Sequence, residues 1–278
     1  MGGRVQRTVT YLICATPRSG SSLLCRGLWG TGVAGAPAEY FNLHRRATLA
    51  TRWGCGPELE DYLRELQLLR SGENGVFGLK IHWPQLEALL AEAGSLSPGA
   101  PTFACSAALL ESLLGGPPVF VHVLRRDIDR QAVSMWIAQR SRRWSVLEPG
   151  APGSTDLPEE RVRRVSYSFA GIERCRRGIA LDALRWDRFF RSNSIAPIEV
   201  VYEDLCDSWA EEIARVAGRL VPGVSVSPES IAPPDIMKLA DARSAEFLRR
   251  YRTDLAGRDP RSIRERIRRR VMARLPVS

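Results

Sequence analysis

Residues 9–22 read VTYLICATPRSGSS, and this stretch decides the fold. The run at 9–15 is short, apolar and partly β-branched or aromatic, which suits a strand buried on both faces. TPRSGSS follows, then LLCRGLWGTG, where Leu23, Leu24, Gly27 and Leu28 keep helical spacing until Gly30 and Gly32 end it. The order is strand, glycine-containing turn, helix. A helix N-terminus carries unpaired N–H groups and a partial positive charge. Gly20 lets backbone approach an anion, Ser19, Ser21 and Ser22 add hydroxyls, and Arg18 adds a bidentate positive fork. Together they form a cradle of phosphate or sulfate size, although Ser and Gly also make plain capping turns. The Walker pattern is absent: no Lys follows Gly20, and no glycine stands five residues before it.

The same alternation continues outward. Strands are expected at 75–82, 117–124 and 198–202, and helices at 58–69, 86–92, 106–114, 128–142, 161–192 and 208–220. Short apolar strands alternating with helices indicate an α/β fold: a single domain over 1–278 with a mainly parallel sheet flanked by helices. In such sheets ligands bind beyond the carboxyl ends of strands. LRRDIDRQAVS (124–134) is a second strand-to-helix passage, with Arg125 at the strand end and Ser134 nine residues on. A second phosphate could lie between them. Residues 149–158 and 221–234 read as Pro-rich excursions.

Composition removes several classes. Of 278 residues, 44% are hydrophobic and 26% charged, which is ordinary for a soluble globule. No apolar run reaches the ~18 residues of a membrane helix. The opening MGGRVQRT and the run after it make a poor signal peptide, and a cytoplasmic location is expected. The six Cys lack C-x-x-C spacing and read as reduced, small apolar residues rather than zinc ligands. No carboxylate cluster suggests magnesium, so no metal is expected. The net charge is +9, but residues 257–278 carry eight Arg against Asp259 and Glu265. The basic surplus is therefore mostly a C-terminal helix or tail (258–278), with Ile263, Ile267 and Val271 on one stripe. That helix would suit a membrane surface. Lys occurs only at Lys80 and Lys238.

YLICATPRSGSSLL resembles the 5′-phosphosulfate loop of sulfotransferases that use 3′-phosphoadenosine 5′-phosphosulfate (PAPS), and residues 125–134 resemble their 3′-phosphate segment. VYEDL (201–205) is similar to a late strand-end motif of the group. GTGVAGAPAEYF (30–41), GVFGLKIHW (75–83), RQAVSMW (130–136) and RSAEFLRRYRTD (243–254) are similar to the bacterial trehalose 2-sulfotransferase family, in the family's order. The resemblance implies PAPS as co-substrate, held by Arg18, Ser19, Gly20, Ser21, Ser22, Arg125 and Ser134. It also implies Glu39 as general base, with Arg18 stabilising the leaving phosphate. An acceptor pocket is implied at Pro17, Ala36, Pro37, Ala38, Glu39, Tyr40, Phe41, Asn42 and Trp53, in a homodimer. Residue chemistry supports Glu39 independently, because the Gly/Pro turn before it can bring the chain back towards the glycine turn. His122 reads as a core residue, His82 as an acceptor contact and His44 as a loop residue. Lys80 is a candidate second cation.

Two positions depart from the family. Ala36 stands where an acidic residue is usual, and Pro17 where Gln is usual. Both changes remove partners suited to a disaccharide. The acceptor is left as a hydroxyl on a carbohydrate, a glycolipid or a natural product. Two other classes stay open from the residues alone. One is a P-loop-type kinase or nucleotide-binding module. The other is a nucleic-acid-binding protein acting through the C-terminal helix, though no nucleic-acid module accompanies it.

Overall fold

A computed structural model describes residues 9–42, 46–56, 58–93, 107–144, 159–233 and 242–258. Its sheet has four strands: β1 (Thr10–Ala15), β2 (Phe77–His82), β3 (Val119–Leu124) and β4 (Ile198–Val201). All pair in parallel, in the order β2-β1-β3-β4. The chain steps from β1 to one side for β2 and returns past it to β3. Such a reversal leaves a crevice at the carboxyl ends of β1 and β3, where open α/β sheets bind ligands.

Every residue of β1 is buried, and its side chains alternate between two cores. Leu12 and Cys14 join Phe77, Leu79, Ile81, Trp83 and Trp186 on one face. Tyr11, Ile13 and Ala15 join Leu24, Leu28, Val121, Val200 and Ile213 on the other. Burial on both faces is why the strands read as continuous apolar runs rather than alternating ones.

The described chain forms two compact units. One holds the described parts of 1–126 and 179–236, including the sheet. With the strands it contains α1 (Ser21–Gly30), α2 (Arg46–Trp53), α3 (Leu59–Arg70), α4 (Trp83–Glu92) and α5 (Ala107–Leu114). It also holds the later part of α8 (Phe169–Ser192), then α9 (Tyr202–Asp207) and α10 (Trp209–Leu220). The other unit holds α6 (Ile128–Ser141), α7 (Glu159–Arg163), the start of α8 and α11 (Ala242–Arg258). There Asp127 caps α6 by accepting from the Arg130 N–H at 3.0 Å. Arg252 reaches Asp127 at 2.8 Å, and Arg176 reaches Asp129 at 3.0 Å.

Two expectations shift in detail, and two helices are added. The helix expected over 161–192 is broken after Arg163 and restarts at Phe169, where the Ser168 hydroxyl accepts from the Gly171 N–H at 3.1 Å. Tyr202 opens α9 rather than ending β4. Helices α2 and α11 were not foreseen. The expected excursion at 149–158 and the basic C-terminal helix lie outside the described residues. Cys14, Cys25, Cys55, Cys175 and Cys206 carry free thiols, and the first four are buried. No helix among the described residues is long and apolar enough to cross a membrane.

Candidate active site

The turn after β1 is conformationally unusual. Arg18 has φ +66° and Gly20 has φ +93°, both left-handed. Gly20 is required there twice over. A side chain would be strained at that φ, and a Cβ would come within 2.3 Å of the Tyr202 ring. Gly20 offers no side chain to cap α1, so the first N–H groups of the helix stay available to a ligand. The Ser19 hydroxyl is buried with no hydrogen-bond partner among the described residues. A small anion at the start of α1 would take up donors that the fold itself leaves unused.

Two guanidiniums meet at this turn. Arg125, just beyond β3, donates from Nη1 to the Arg18 carbonyl at 2.8 Å and lies 4.3 Å over the Tyr202 ring. The Arg18 pKa falls to about 10, because burial penalises its charge and Arg125 repels it. Two like charges near a helix N-terminus repel one another, and an anion bound there would relieve that repulsion. Beside them Arg126 makes a bidentate pair with Asp204 at 2.8 and 2.7 Å, tying the end of β3 to α9.

Glu39 is brought in by backbone geometry. Gly35 has φ +65°, and a Cβ there would strike the Val76 carbonyl at 2.3 Å. After this bend Ala38 forms a parallel bridge with Leu79, and the Lys80 N–H donates to the Ala38 carbonyl at 2.9 Å. The carboxylate of the next residue then lies beside the end of β2. Lys80 Nζ is 2.7 Å from Glu39 Oε2, and His82 Nε2 is 3.6 Å from the same oxygen. Gln85 Nε2 and Asn42 Nδ2 donate to Oε1 at 2.7 and 3.0 Å. Gln85 is itself oriented, since its Oε1 accepts from the His82 N–H at 2.8 Å. Burial pushes the Glu39 carboxyl up. The His82 ring and the Lys80 ammonium outweigh that and hold it well below the ordinary carboxylate range.

The family model of the Stf0 sulphotransferases matches residues 10–254. Trehalose 2-sulfotransferase of Mycolicibacterium smegmatis is 30% identical over 267 residues, covering 88% of this chain and 94% of that protein. Trehalose 2-sulfotransferase of Mycobacterium tuberculosis matches to the same extent, at 30% identity. This chain belongs to the Stf0 sulphotransferase family. The kinase and nucleic-acid readings gain nothing from these matches.

The residues expected from the Stf0 resemblance fall into distinct places. Arg18, Ser19, Gly20, Ser21, Ser22 and Arg125 gather at the β1–α1 turn and the end of β3. Ser134 lies half-buried on α6, in the other unit. Of the expected acceptor residues, Pro17, Ala38, Glu39 and Asn42 are half-buried, and Ala36 and Pro37 are buried. Tyr40 and Phe41, 0% and 3% exposed, are core residues and offer the acceptor no side-chain surface. Tyr40 stacks on Phe77 and takes a hydrogen bond from Arg70 Nε at 2.9 Å. Trp53 ends α2. His122 is buried against Phe190, as a core histidine would be. His44 lies outside the described residues.

Some of the site was not anticipated. Tyr202 packs on Gly20 and under Arg125, a role that its place in the strand-end VYEDL motif does not announce. Gln85 and Asn42 hold Glu39 although neither carries a charge that would mark it in a sequence. The Ala15 carbonyl, at the end of β1, accepts from the Trp186 indole at 3.2 Å and faces His82 Nδ1 at 2.9 Å.

Proposed function

We propose that this protein transfers a sulfuryl group from PAPS to a hydroxyl of a carbohydrate or a carbohydrate-bearing acceptor. The observation that carries this reading is the meeting of a capless helix N-terminus, the buried Ser19 hydroxyl and two guanidiniums a short way from a caged carboxylate. Such a cradle suits a 5′-phosphosulfate. Both relatives carry trehalose 2-sulfotransferase as their name, which supports a carbohydrate acceptor.

Glu39 accepts the proton of the attacking hydroxyl as the acceptor oxygen bonds to sulfur. The bond between sulfur and the bridging 5′-phosphate oxygen breaks, and that oxygen keeps the electron pair. Arg18 and the N–H groups at the start of α1 stabilise the charge growing there. The protein's contribution is positioning and electrostatics, as in phosphoryl transfer. Arg125 props the Arg18 turn and is the group we assign to the 3′-phosphate.

The test is a transfer assay with ³⁵S-labelled PAPS against trehalose, other sugars, glycolipids and simple alcohols, with calorimetry of 3′-phosphoadenosine 5′-phosphate and of ATP–Mg. Labelled sugar product and a magnesium-independent preference for the bisphosphate support the reading. Preference for ATP–Mg without sulfate transfer refutes it.

A further inference from the structure

Lys80 is a buried cation with two neighbours of different kinds. It sits on β2 at 6% exposure, with Glu39, Ser22 and Cys25 around it. Its Nζ is 2.7 Å from Glu39 Oε2 and 3.2 Å from Ser22 Oγ. Ser22 lies in the first turn of α1, where an anion is expected. The ammonium therefore stands between the candidate base and the anion cradle.

A buried ammonium is stable only beside negative charge or strong acceptors. In the structure Glu39 supplies that charge. The arrangement has a chemical cost, because a carboxylate with a cation on one oxygen and two amide donors on the other is a weak proton acceptor. An anion at the start of α1 would compete for the same ammonium from the Ser22 side. A small rotation of the four-carbon stem is enough to change partner, since both neighbours are already within reach. His82 cannot make this exchange so readily, because its Nδ1 is held 2.9 Å from the Ala15 carbonyl.

We infer that Lys80 is a positioning residue that exchanges partners: it holds Glu39 while the cradle is empty and swings to the donor's anionic oxygen when the nucleotide binds, releasing Glu39 to act as base. This rests on the donor reading above and deepens it. Base strength becomes conditional on donor occupancy, and productive binding acquires an order, donor before acceptor. The other groups around the carboxylate do not imitate the effect. From β2 His82 stays anchored, and from α4 and the adjoining loop Gln85 and Asn42 are neutral. From α1 Cys25 feels both Lys80 and Glu39, and burial pushes its thiol up to about 12, so it stays uncharged. From α8 Asp182 feels His82 and takes a hydrogen bond from Arg185 at 3.2 Å.

The chain makes the test clean, because Lys80 is one of only two lysines, with Lys238. NMR of ζ-¹⁵N lysine and δ-¹³C glutamate follows both partners directly, with 3′-phosphoadenosine 5′-phosphate as probe. The expected result is a shift of the Lys80 resonance on binding, with the Glu39 titration rising at least about tenfold in proton affinity. In Lys80→Met the Glu39 titration is already raised without nucleotide, and the probe adds less than half the wild-type change. Should that variant fail to fold, wild-type kinetics decide. The acid limb of kcat, which reports the bound state, then lies at least about one pH unit above that of kcat/KM for the donor. Coincident limbs, or calorimetric binding with Lys80 and Glu39 unmoved, overturn the exchange while leaving the donor reading intact. No binding of the bisphosphate overturns the donor reading and the exchange with it.

Discussion

Replacing Gly20 with alanine tests the geometry of the anion turn through a single methyl group. Gly20 sits at φ +93°, and the added Cβ would lie 2.3 Å from Tyr202 Cδ2. The left-handed backbone alone costs an L-residue roughly 1–2 kcal/mol. Forcing the Tyr202 ring aside adds the ordinary penalty of overpacking, about 1–3 kcal/mol. The two together destabilise by about 2–5 kcal/mol, a drop in Tm of roughly 4–10 °C at this chain length. The damage should also reach function. Tyr202 supports Arg125 at 4.3 Å, and Arg125 holds the Arg18 carbonyl at 2.8 Å. Affinity for 3′-phosphoadenosine 5′-phosphate should fall at least about tenfold, or ~1.4 kcal/mol. Urea denaturation and calorimetry of Gly20→Ala, Tyr202→Ala and the double variant complete a cycle. Removing the ring should recover the overpacking part and leave the backbone part, giving a coupling of about 1–3 kcal/mol. A Gly20→Ala protein within about 0.5 kcal/mol of wild type, or a strictly additive cycle, would refute this reasoning.

Three further outcomes are expected. Glu39→Gln should lower kcat at least about 100-fold while bisphosphate affinity stays within about threefold, and unchanged turnover removes Glu39 from the chemistry. Arg125→Ala should weaken 3′-phosphoadenosine 5′-phosphate more than adenosine 5′-phosphate in calorimetry; equal losses would mean that Arg125 only props the Arg18 turn. His122 supplies a pH test of stability. Burial lowers its pKa to about 4 from an ordinary 6.5, with Asp187 opposing weakly. The folded state therefore prefers the neutral ring, and this contribution is complete above about pH 6.5 and lost as pH falls towards 4. Between pH 7.5 and 5 wild type should lose about 2 kcal/mol more than His122→Phe in urea melts, and parallel pH dependences would contradict this.

The sheet was legible because its strands are buried on both faces. VTYLICA and PPVFVHVL stand out as apolar runs, and the structure trims them only to Thr10–Ala15 and Val119–Leu124. The anion turn was legible because glycine, serine and arginine there announce their chemistry. The missed elements carried quieter signals. Glu203 and Asp204 suit a first helical turn and mark the start of α9, and Ser168 is an N-cap that divides 161–192. The surroundings of Glu39 were only half legible. Lys80 and His82 share a strand face at i and i+2, which alternation shows. Gln85 and Asn42 reach the carboxylate only because Ala38 bridges Leu79, a long-range pairing that no local pattern encodes. The same pairing explains Tyr40 and Phe41: a loop reading cannot tell which side chains turn into the core.

A structure of the protein with 3′-phosphoadenosine 5′-phosphate, completed by an acceptor or a sulfate mimic, tests the central claim most directly. The account predicts the 5′-phosphate within hydrogen-bond distance of the N–H groups of Ser19 to Ser22 and of the Arg18 guanidinium, with the Glu39 carboxylate facing the sulfur position and Lys80 turned towards the nucleotide. A nucleotide bound away from the β1–α1 turn, or a Glu39 directed away from the transferring group, would contradict it.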